Sequence, residues 1–373
     1  MSPFDAQAQD LVNLAARDRR RTLAPRHGRD FASNDYLGLA ASGLLEAAVR
    51  DALDRGVPVG SGGSRLLRGN HDEHVALETE AAAFFGAGAA LFFSSGYAAN
   101  VALLSTLPQR GDLIVFDALV HASAHEGMRL SRAVAKAAVH NDPEAFDAAI
   151  TAWRHDGGTG QAWIVVESLY SMDGDRAPLD ALAAIAERHD AVLLIDEAHA
   201  TGVFGRDGRG FADGLAGRGN VVTLHTCGKA LGSEGALVCG PAIVRDFLVN
   251  RGRGFIYSTA PSPLIAAVVR AGLRALTAPE RRDHLHALID HAQQALAPHG
   301  VTPSGSQILP LILGDDARTM RAAAALQQAG FDVRGIRPPT VPDGTSRLRI
   351  SITLNVTTDD IDTLAAELGR VLA

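Results

Sequence analysis

Sulfur is scarce in this chain. Cys227 and Cys239 are its two cysteines among 373 residues. Each stands in apolar or small-residue surroundings, so no disulfide framework is available and a reducing compartment is expected. Long apolar runs are missing as well. No segment approaches the roughly 18 to 20 uninterrupted apolar residues of a membrane-spanning helix, and the first residues lack the apolar region of a secretory signal. A cytoplasmic protein without a membrane partner is the expectation. There is no basic excess either: 35 Lys and Arg against 42 Asp and Glu leave a net charge of -7, which gives no footprint for nucleic acid. Internal repeats are not found, and compositional bias is confined to alanine-rich helical segments. What is there is an ordinary globular composition, 47% hydrophobic and 21% charged, long enough for a well-buried core shared by two or three domains.

The most informative stretch runs from His189 to Lys229. Residues 191–195 form a continuous apolar run, the pattern of a strand covered on both faces in a parallel sheet. The run stops at Asp196, and Glu197, Ala198 and His199 follow. An acid and an imidazole therefore sit just past a strand's carboxyl end, where open α/β sheets bind ligands. A second short strand, residues 221–224, leads into His225, Thr226, Cys227, Gly228 and Lys229. A buried lysine with few charged neighbours keeps its amine available for imine formation with an aldehyde. Pyridoxal phosphate is such an aldehyde, and a carboxylate beneath its pyridine nitrogen, here Asp196, holds the proton that makes the ring an electron sink. Taken singly, Asp196 is equally a helix cap and Lys229 a loop cation.

The rest of the chain repeats the arrangement. Residues 89–93 read as a strand that delivers Ser94, Ser95, Gly96 and Tyr97 to a helix over 98–104. Strand, small-residue turn and helix start together make a phosphate cradle. A lipase-type nucleophile elbow is excluded, because Phe93 stands two residues before Ser95 where that motif needs glycine. Residues 113–116 end at Asp117, with His121 beyond and placed to lie flat on a cofactor ring if the strand ends gather there; as a lone histidine, a structural role is the commoner reading. Residues 163–166 end at Glu167, with Ser171 to follow. The glycine-rich loop from Gly60 to Asn70 lacks the Gly-Lys-Ser/Thr ending of a Walker loop. His71 and His74, at a helix starting near Asp72, read as capping or surface residues rather than metal ligands.

Residues 1 to about 25 read as an amphipathic helix bearing Arg17, Arg19, Arg20 and Arg21. After about residue 240 the texture changes to a helix from about 264, a strand over 308–313, a helix over 317–329, a strand over 347–352 and a helix over 359–372. Arg337 precedes Pro338 and Pro339 in a stiffened loop, which aims it at a planar carboxylate or leaves it a surface cation. The expected architecture is α/β. It consists of an N-terminal helical segment (1–40), a large domain with a mostly parallel sheet flanked by helices (41–260), and a smaller α+β domain (261–373).

Seven stretches, in this order, carry a family resemblance: 33–38 (SNDYLG), 60–65 (GSGGSR), 95–100 (SGYAAN), 171–175 (SMDGD), 196–199 (DEAH), 226–229 (TCGK) and 337–342 (RPPTVP). Together they resemble the α-oxoamine synthase family of fold-type I pyridoxal phosphate enzymes, from about residue 30 to the C-terminus. The resemblance implies that Lys229 holds the cofactor as an imine and moves the substrate's α-proton. It implies Asp196 at the pyridinium, His199 on the ring's phenolic oxygen and His121 stacked on the ring. Gly96 and Tyr97 are implied to give backbone N–H groups to the phosphate and Thr226 its hydroxyl, with Ser171 and Glu167 close to the ring. Arg21, Asn34, Arg337 and Thr340 are implied to face substrate, Arg21 being preferred among the N-terminal arginines because Thr22 and Leu23 follow it. Two departures are small: Ala200 stands where many relatives have glycine, and Cys227 where other residues occur.

The implied reaction is the decarboxylative condensation of L-alanine with a pimeloyl thioester, carried by coenzyme A or a carrier protein, in biotin synthesis, by a homodimer with active sites at its interface. Three sibling activities, glycine C-acetyltransferase, 5-aminolevulinate synthase and serine palmitoyltransferase, share the cofactor site and differ in amino acid and thioester. A rival of another class is a metal-dependent hydrolase built on His121, His125, Asp196 and His199, which leaves the phosphate cradle and Lys229 without a task.

Overall fold

The apolar runs that end in acids assemble into one seven-stranded sheet in the computed structural model, which describes residues 2–373. In chain order the strands are β1 (Ala89–Phe93), β2 (Leu113–Asp117), β3 (Val134–Ala138), β4 (Ala162–Glu167), β5 (Val192–Asp196), β6 (Val221–Thr226) and β7 (Ala236–Gly240). They lie side by side as β1-β7-β6-β5-β4-β2-β3. Every pairing is parallel except the two made by β7, which runs against both β1 and β6. This is the mostly parallel α/β sheet expected from the sequence.

Successive side chains of a strand point to opposite faces, and here both faces are covered. Val165 and Leu194 enter one core with Leu103 and Leu104 of the helix Gly96–Thr106. Ile164, Val166, Leu193 and Ile195 enter the other with Ile150, Leu182 and Ile185 of the helices Pro143–His155 and Leu179–Arg188. Burial on both sides is why β4 and β5 read as unbroken apolar runs. Each such side chain contributes about 1.5–3 kcal/mol relative to exposure. The edge strand β3 has no such signature. Four of its five residues are exposed, and Lys136 near its middle discourages pairing with another chain.

The chain divides into two compact units. The larger, Leu37–Ser171 with Arg176–Arg282, contains the seven-stranded sheet; the smaller comprises Met1–Tyr36, Met172–Asp175 and Asp283–Ala373. The division falls near residue 282 rather than at 261, because Leu264 and Ala267 of the helix Pro263–Ala275 pack on Ala52 and Val57 of the larger unit. Met172–Asp175 joins the smaller unit, where Arg347 pairs with Asp173.

In the smaller unit, β8 (Ile308–Gly314), β9 (Arg334–Ile336) and β10 (Ser346–Ser351) form an antiparallel sheet in the order β9-β10-β8. The helices Asp316–Gln328 and Thr358–Leu372 accompany it. A two-residue parallel pairing of Arg29–Asp30 with Phe331–Asp332 ties in the N-terminal segment. The N-terminal helix is shorter than the expected 1 to about 25. It spans Asp5–Ala16 and buries no residue. It stops where Asp18 takes a φ of 54° and Arg19 turns to the carboxylates of Asp316 and Asp343 at 2.7 and 2.8 Å. Among the described residues no helix is long and apolar enough to cross a membrane.

Candidate active site

Strand register gathers the polar groups. Glu167 pairs with Asp196 and Asp196 with Leu224, so β4, β5 and β6 end nearly level. Across the antiparallel β7, Phe93 and Thr226 both face Ala236. The last residue of β1 is thereby level with the last of β6, and the helix that follows β1 starts beside Thr226.

The loops beyond these ends bring the candidate groups together. Lys229 Nζ lies 2.7 Å from His199 Nε2. Asp196 is buried, and its Oδ1 accepts the Ala198 N–H at 2.9 Å while its Oδ2 accepts the Asn100 amide at 2.8 Å. His121 caps the helix Ala122–Arg129, with its Nδ1 2.8 Å from Ser123 Oγ. Burial holds the His121 pKa below the ordinary imidazole value; Asp196 works against that, and Lys229 and His125 add to it.

Glu167 completes the group. Burial first, and then the negative charge of Asp196, push its carboxyl up to about 8, while Lys229 and the N–H groups of His121 and Ser171 pull it back. Its Oε1 is buried without a partner. Lys229, Asp196, His121 and Glu167 thus act on one another electrostatically, as the groups of one site do.

The start of the helix Gly96–Thr106 forms the cradle. Ser95 Oγ accepts from the Ala98 N–H at 3.1 Å, which leaves the N–H groups of Gly96 and Tyr97 in the first turn without an intrahelical acceptor. Glycine is required here by proximity. A Cβ on Gly96 would stand 2.7 Å from Thr226 Cγ2. Thr226 Oγ1 is itself buried with no partner. An anion at this helix start satisfies the hydroxyl and both N–H groups, and the helix dipole favours its charge.

The donor set therefore fits a phosphorylated pyridine aldehyde: an amine, a buried acid, an imidazole and a phosphate cradle along one sheet edge. Residues 26–368 match the class I and II aminotransferase family. The chain belongs to that family. Among curated relatives of this aminotransferase-family chain, 8-amino-7-oxononanoate synthase of Anaeromyxobacter dehalogenans is 44% identical over 97% of this chain and 94% of its own length. The enzyme of the same name from Mycolicibacterium smegmatis is 43% identical over 92% and 89%. Solved structures agree. A variant serine palmitoyltransferase from S. paucimobilis, with pyridoxal phosphate and myriocin bound, superposes with a TM-score of 0.88 at 27% identity, covering 99% of this chain and 97% of that one. An 8-amino-7-oxononanoate synthase from Francisella tularensis gives a TM-score of 0.77 at 28% identity, covering 92% and 98%. The fold of this aminotransferase-family chain is fold type I, its cofactor is pyridoxal phosphate, and the α-oxoamine synthase resemblance extends over nearly its whole length.

The four substrate-facing candidates all lie in the smaller unit. Arg21 donates to Thr340 Oγ1 at 3.3 Å. Burial and the neighbouring Arg21 charge lower the Arg337 pKa from its ordinary value, with Asp316 and Asp18 opposing. Two guanidiniums and a hydroxyl thus share one place. Asn34 is elsewhere in the unit, its Oδ1 accepting from Arg349 at 3.1 Å and from the Tyr36 hydroxyl at 3.0 Å. Arg19 is engaged by two carboxylates, which separates it from Arg21.

Other candidates resolve into structure. His74 accepts the His71 N–H and contacts the Pro261 carbonyl, and His71 accepts the Glu73 N–H, so the pair caps a helix. The set His121, His125, Asp196 and His199 does not form a metal centre: Asp196 is occupied by Ala198 and Asn100, His199 faces Lys229, and among the described residues no group of three or more His, Cys, Asp or Glu is arranged for a metal. Sequence reasoning missed Asn100, Ser123 and the clamp made by Glu197. The available signal for Asn100 was a polar residue of modest helix propensity inside the run from Ala98 to Leu104.

Proposed function

We propose that this protein condenses L-alanine with a pimeloyl thioester, releasing carbon dioxide and free thiol, to give 8-amino-7-oxononanoate in biotin synthesis. It acts as a cytoplasmic homodimer. One observation carries the reading: Lys229, His199, Asp196, His121 and Glu167 meet at one sheet edge, beside a helix start where the Thr226 hydroxyl is buried and unpartnered.

Bound pyridoxal phosphate supplies an aldehyde carbon for an amine and an electron sink for negative charge at the amino acid's α-carbon. The protein's own groups do the rest. Lys229 Nζ, 2.7 Å from His199 Nε2, would hold the cofactor and would take and return the α-proton. Asp196 would pair with the ring nitrogen, His121 would cover the ring face, and His199 would hydrogen-bond the ring's phenolic oxygen. Gly96, Tyr97 and Thr226 would bind the phosphate, with Ser171 and Glu167 beside the ring. Arg21, Arg337 and Thr340 seat a substrate carboxylate in planar, two-point fashion, and Asn34 lines the substrate path.

The test is a matrix of alanine, glycine and serine against pimeloyl, acetyl, succinyl and palmitoyl thioesters, reading carbon dioxide and thiol. Alanine with the pimeloyl thioester is expected to turn over fastest. Preference for serine with palmitoyl thioester, or for either glycine pair, reassigns the chain to a sibling activity, and no release from any pair removes the reading.

A further inference from the structure

Asp196 and His121 are joined by a chain of buried side chains that the proposed reaction leaves without a role. Asn100 Nδ2 lies 2.8 Å from Asp196 Oδ2 and 3.0 Å from Ser123 Oγ, and Ser123 Oγ lies 2.8 Å from His121 Nδ1. Asn100 is 2% exposed and Ser123 fully buried. We propose that Asn100 is a positioning residue which, through Ser123, lets the ionised Asp196 carboxylate dictate the tautomer of His121. The inference rests on the reading that Asp196 and His121 flank the cofactor ring.

The direction of each hydrogen bond follows from the inventory of donors. An ionised carboxylate only accepts, so the amide nitrogen of Asn100, not its oxygen, faces Asp196. The same nitrogen sends its second hydrogen to Ser123 Oγ. With that lone pair occupied, the serine hydroxyl directs its own hydrogen at His121 Nδ1. The backbone N–H of Ser123 points at the same nitrogen, at 3.2 Å. Two donors converge on Nδ1, so the ring is neutral and carries its hydrogen on Nε2. Protonating Nδ1 requires the serine hydroxyl to turn away and find another acceptor in a buried site, which is unfavourable.

Other groups bear on the same ring. Asp196 at the end of β5 favours its cation, Lys229 beyond β6 and His125 on its own helix oppose it, and Glu167 at the end of β4 accepts the His121 backbone N–H. These set the overall balance, whereas the relay decides which nitrogen holds the hydrogen. Without it, the hydrogen of the neutral imidazole is free to sit on either ring nitrogen.

The test is a pH titration of ¹⁵N-histidine-labelled holoenzyme by NMR, with His121 identified by the signals lost in His121→Asn. The wild type is expected to show an unprotonated Nδ1 and a protonated Nε2. Ser123→Ala and Asn100→Leu are each expected to raise the His121 pKa by about one unit, a tenfold easier protonation, and Ser123→Thr to restore it. A wild-type ring protonated on Nδ1 overturns the proposal. So does a Ser123→Ala protein, the smaller change and decisive alone if Asn100→Leu does not fold, that titrates like the wild type. Absorbance of the lysine-bound cofactor and carbon dioxide release are followed in parallel. Their loss from the wild type defeats the functional reading, whereas the histidine tautomer, measured with or without cofactor, reports on the relay itself.

Discussion

Two glutamates stand at the ends of neighbouring strands on one sheet edge, equally buried and oppositely equipped. Glu197, just past β5, is saturated. Its Oε2 accepts from Ser168 Oγ at 2.9 Å and the Phe211 N–H at 3.1 Å, and its Oε1 accepts from the Ala212 N–H at 2.5 Å. Gly210, at a φ of +97°, lies so close that a Cβ there would collide with the Glu197 carboxylate. Glu167, ending β4, leaves Oε1 with nothing. Burial raises both carboxyls, Glu197 to about 7 and Glu167 to about 8. With both oxygens engaged, Glu197 clamps the loop that follows Phe204; we propose that the vacant oxygen leaves Glu167 to the reaction, so that one carboxyl answers to stability and the other to turnover.

The largest effect expected is on the reactive side. Lys229→Ala should lower turnover by at least about 10²- to 10⁴-fold and abolish the cofactor's lysine-bound absorbance, with an unchanged unfolding midpoint. A variant that keeps near-normal turnover removes the site from this edge. Glu167→Gln comes next, with turnover reduced on the order of 10²-fold, the scale of losing one oriented polar group. Its urea midpoint should not fall; a destabilised but fully active variant erases the contrast between the two acids.

The third test uses pH. Each glutamate's folded pKa lies above the ordinary 4.5, so the native state binds that proton more tightly than the unfolded chain. The associated stability is complete below about pH 4.5 and is lost as pH rises through about 7 for Glu197 and about 8 for Glu167. Wild type minus Glu197→Gln, by urea unfolding of cofactor-free protein, should therefore decline by on the order of 3 kcal/mol between pH 4.5 and 8. A flat difference shows that the clamp is ionised in both states. Last is Gly210→Ala, which forces a side chain into a backbone conformation open essentially to glycine and against the Glu197 carboxylate. A loss of about 2–3 kcal/mol with unchanged turnover per folded molecule is expected, and a drop in turnover without one in stability would make the loop part of the reaction.

Legibility followed the same divide. β4 and β5 were readable because they are buried on both faces and stop at an acid, and the Gly96 cradle because strand, small turn and helix follow one another locally. The edge strand β3 was not, since its exposed residues neither alternate nor form an apolar run. The N-terminal helix was overextended because its end is set by the pairing of Arg19 with Asp316 and Asp343, acids 297 and 324 residues further along the chain. Asn100 and Ser123 escaped for a related reason. Each looks like an ordinary helix residue until the pairings that lead from β1 through β7 and β6 to β5 bring Asp196 within reach of Asn100.

The smaller unit is sewn from three separate lengths of chain, Met1–Tyr36, Met172–Asp175 and Asp283–Ala373. Its first length pairs, through Arg29 and Asp30, with Phe331 and Asp332, residues made 302 positions later. At roughly 5 to 20 residues per second on the ribosome, those early residues wait on the order of ten seconds or more for their partners. The larger unit, complete once Arg282 has emerged, has the head start, and no contiguous fragment carries the arginine pair of Arg21 and Arg337 without the whole sheet between them.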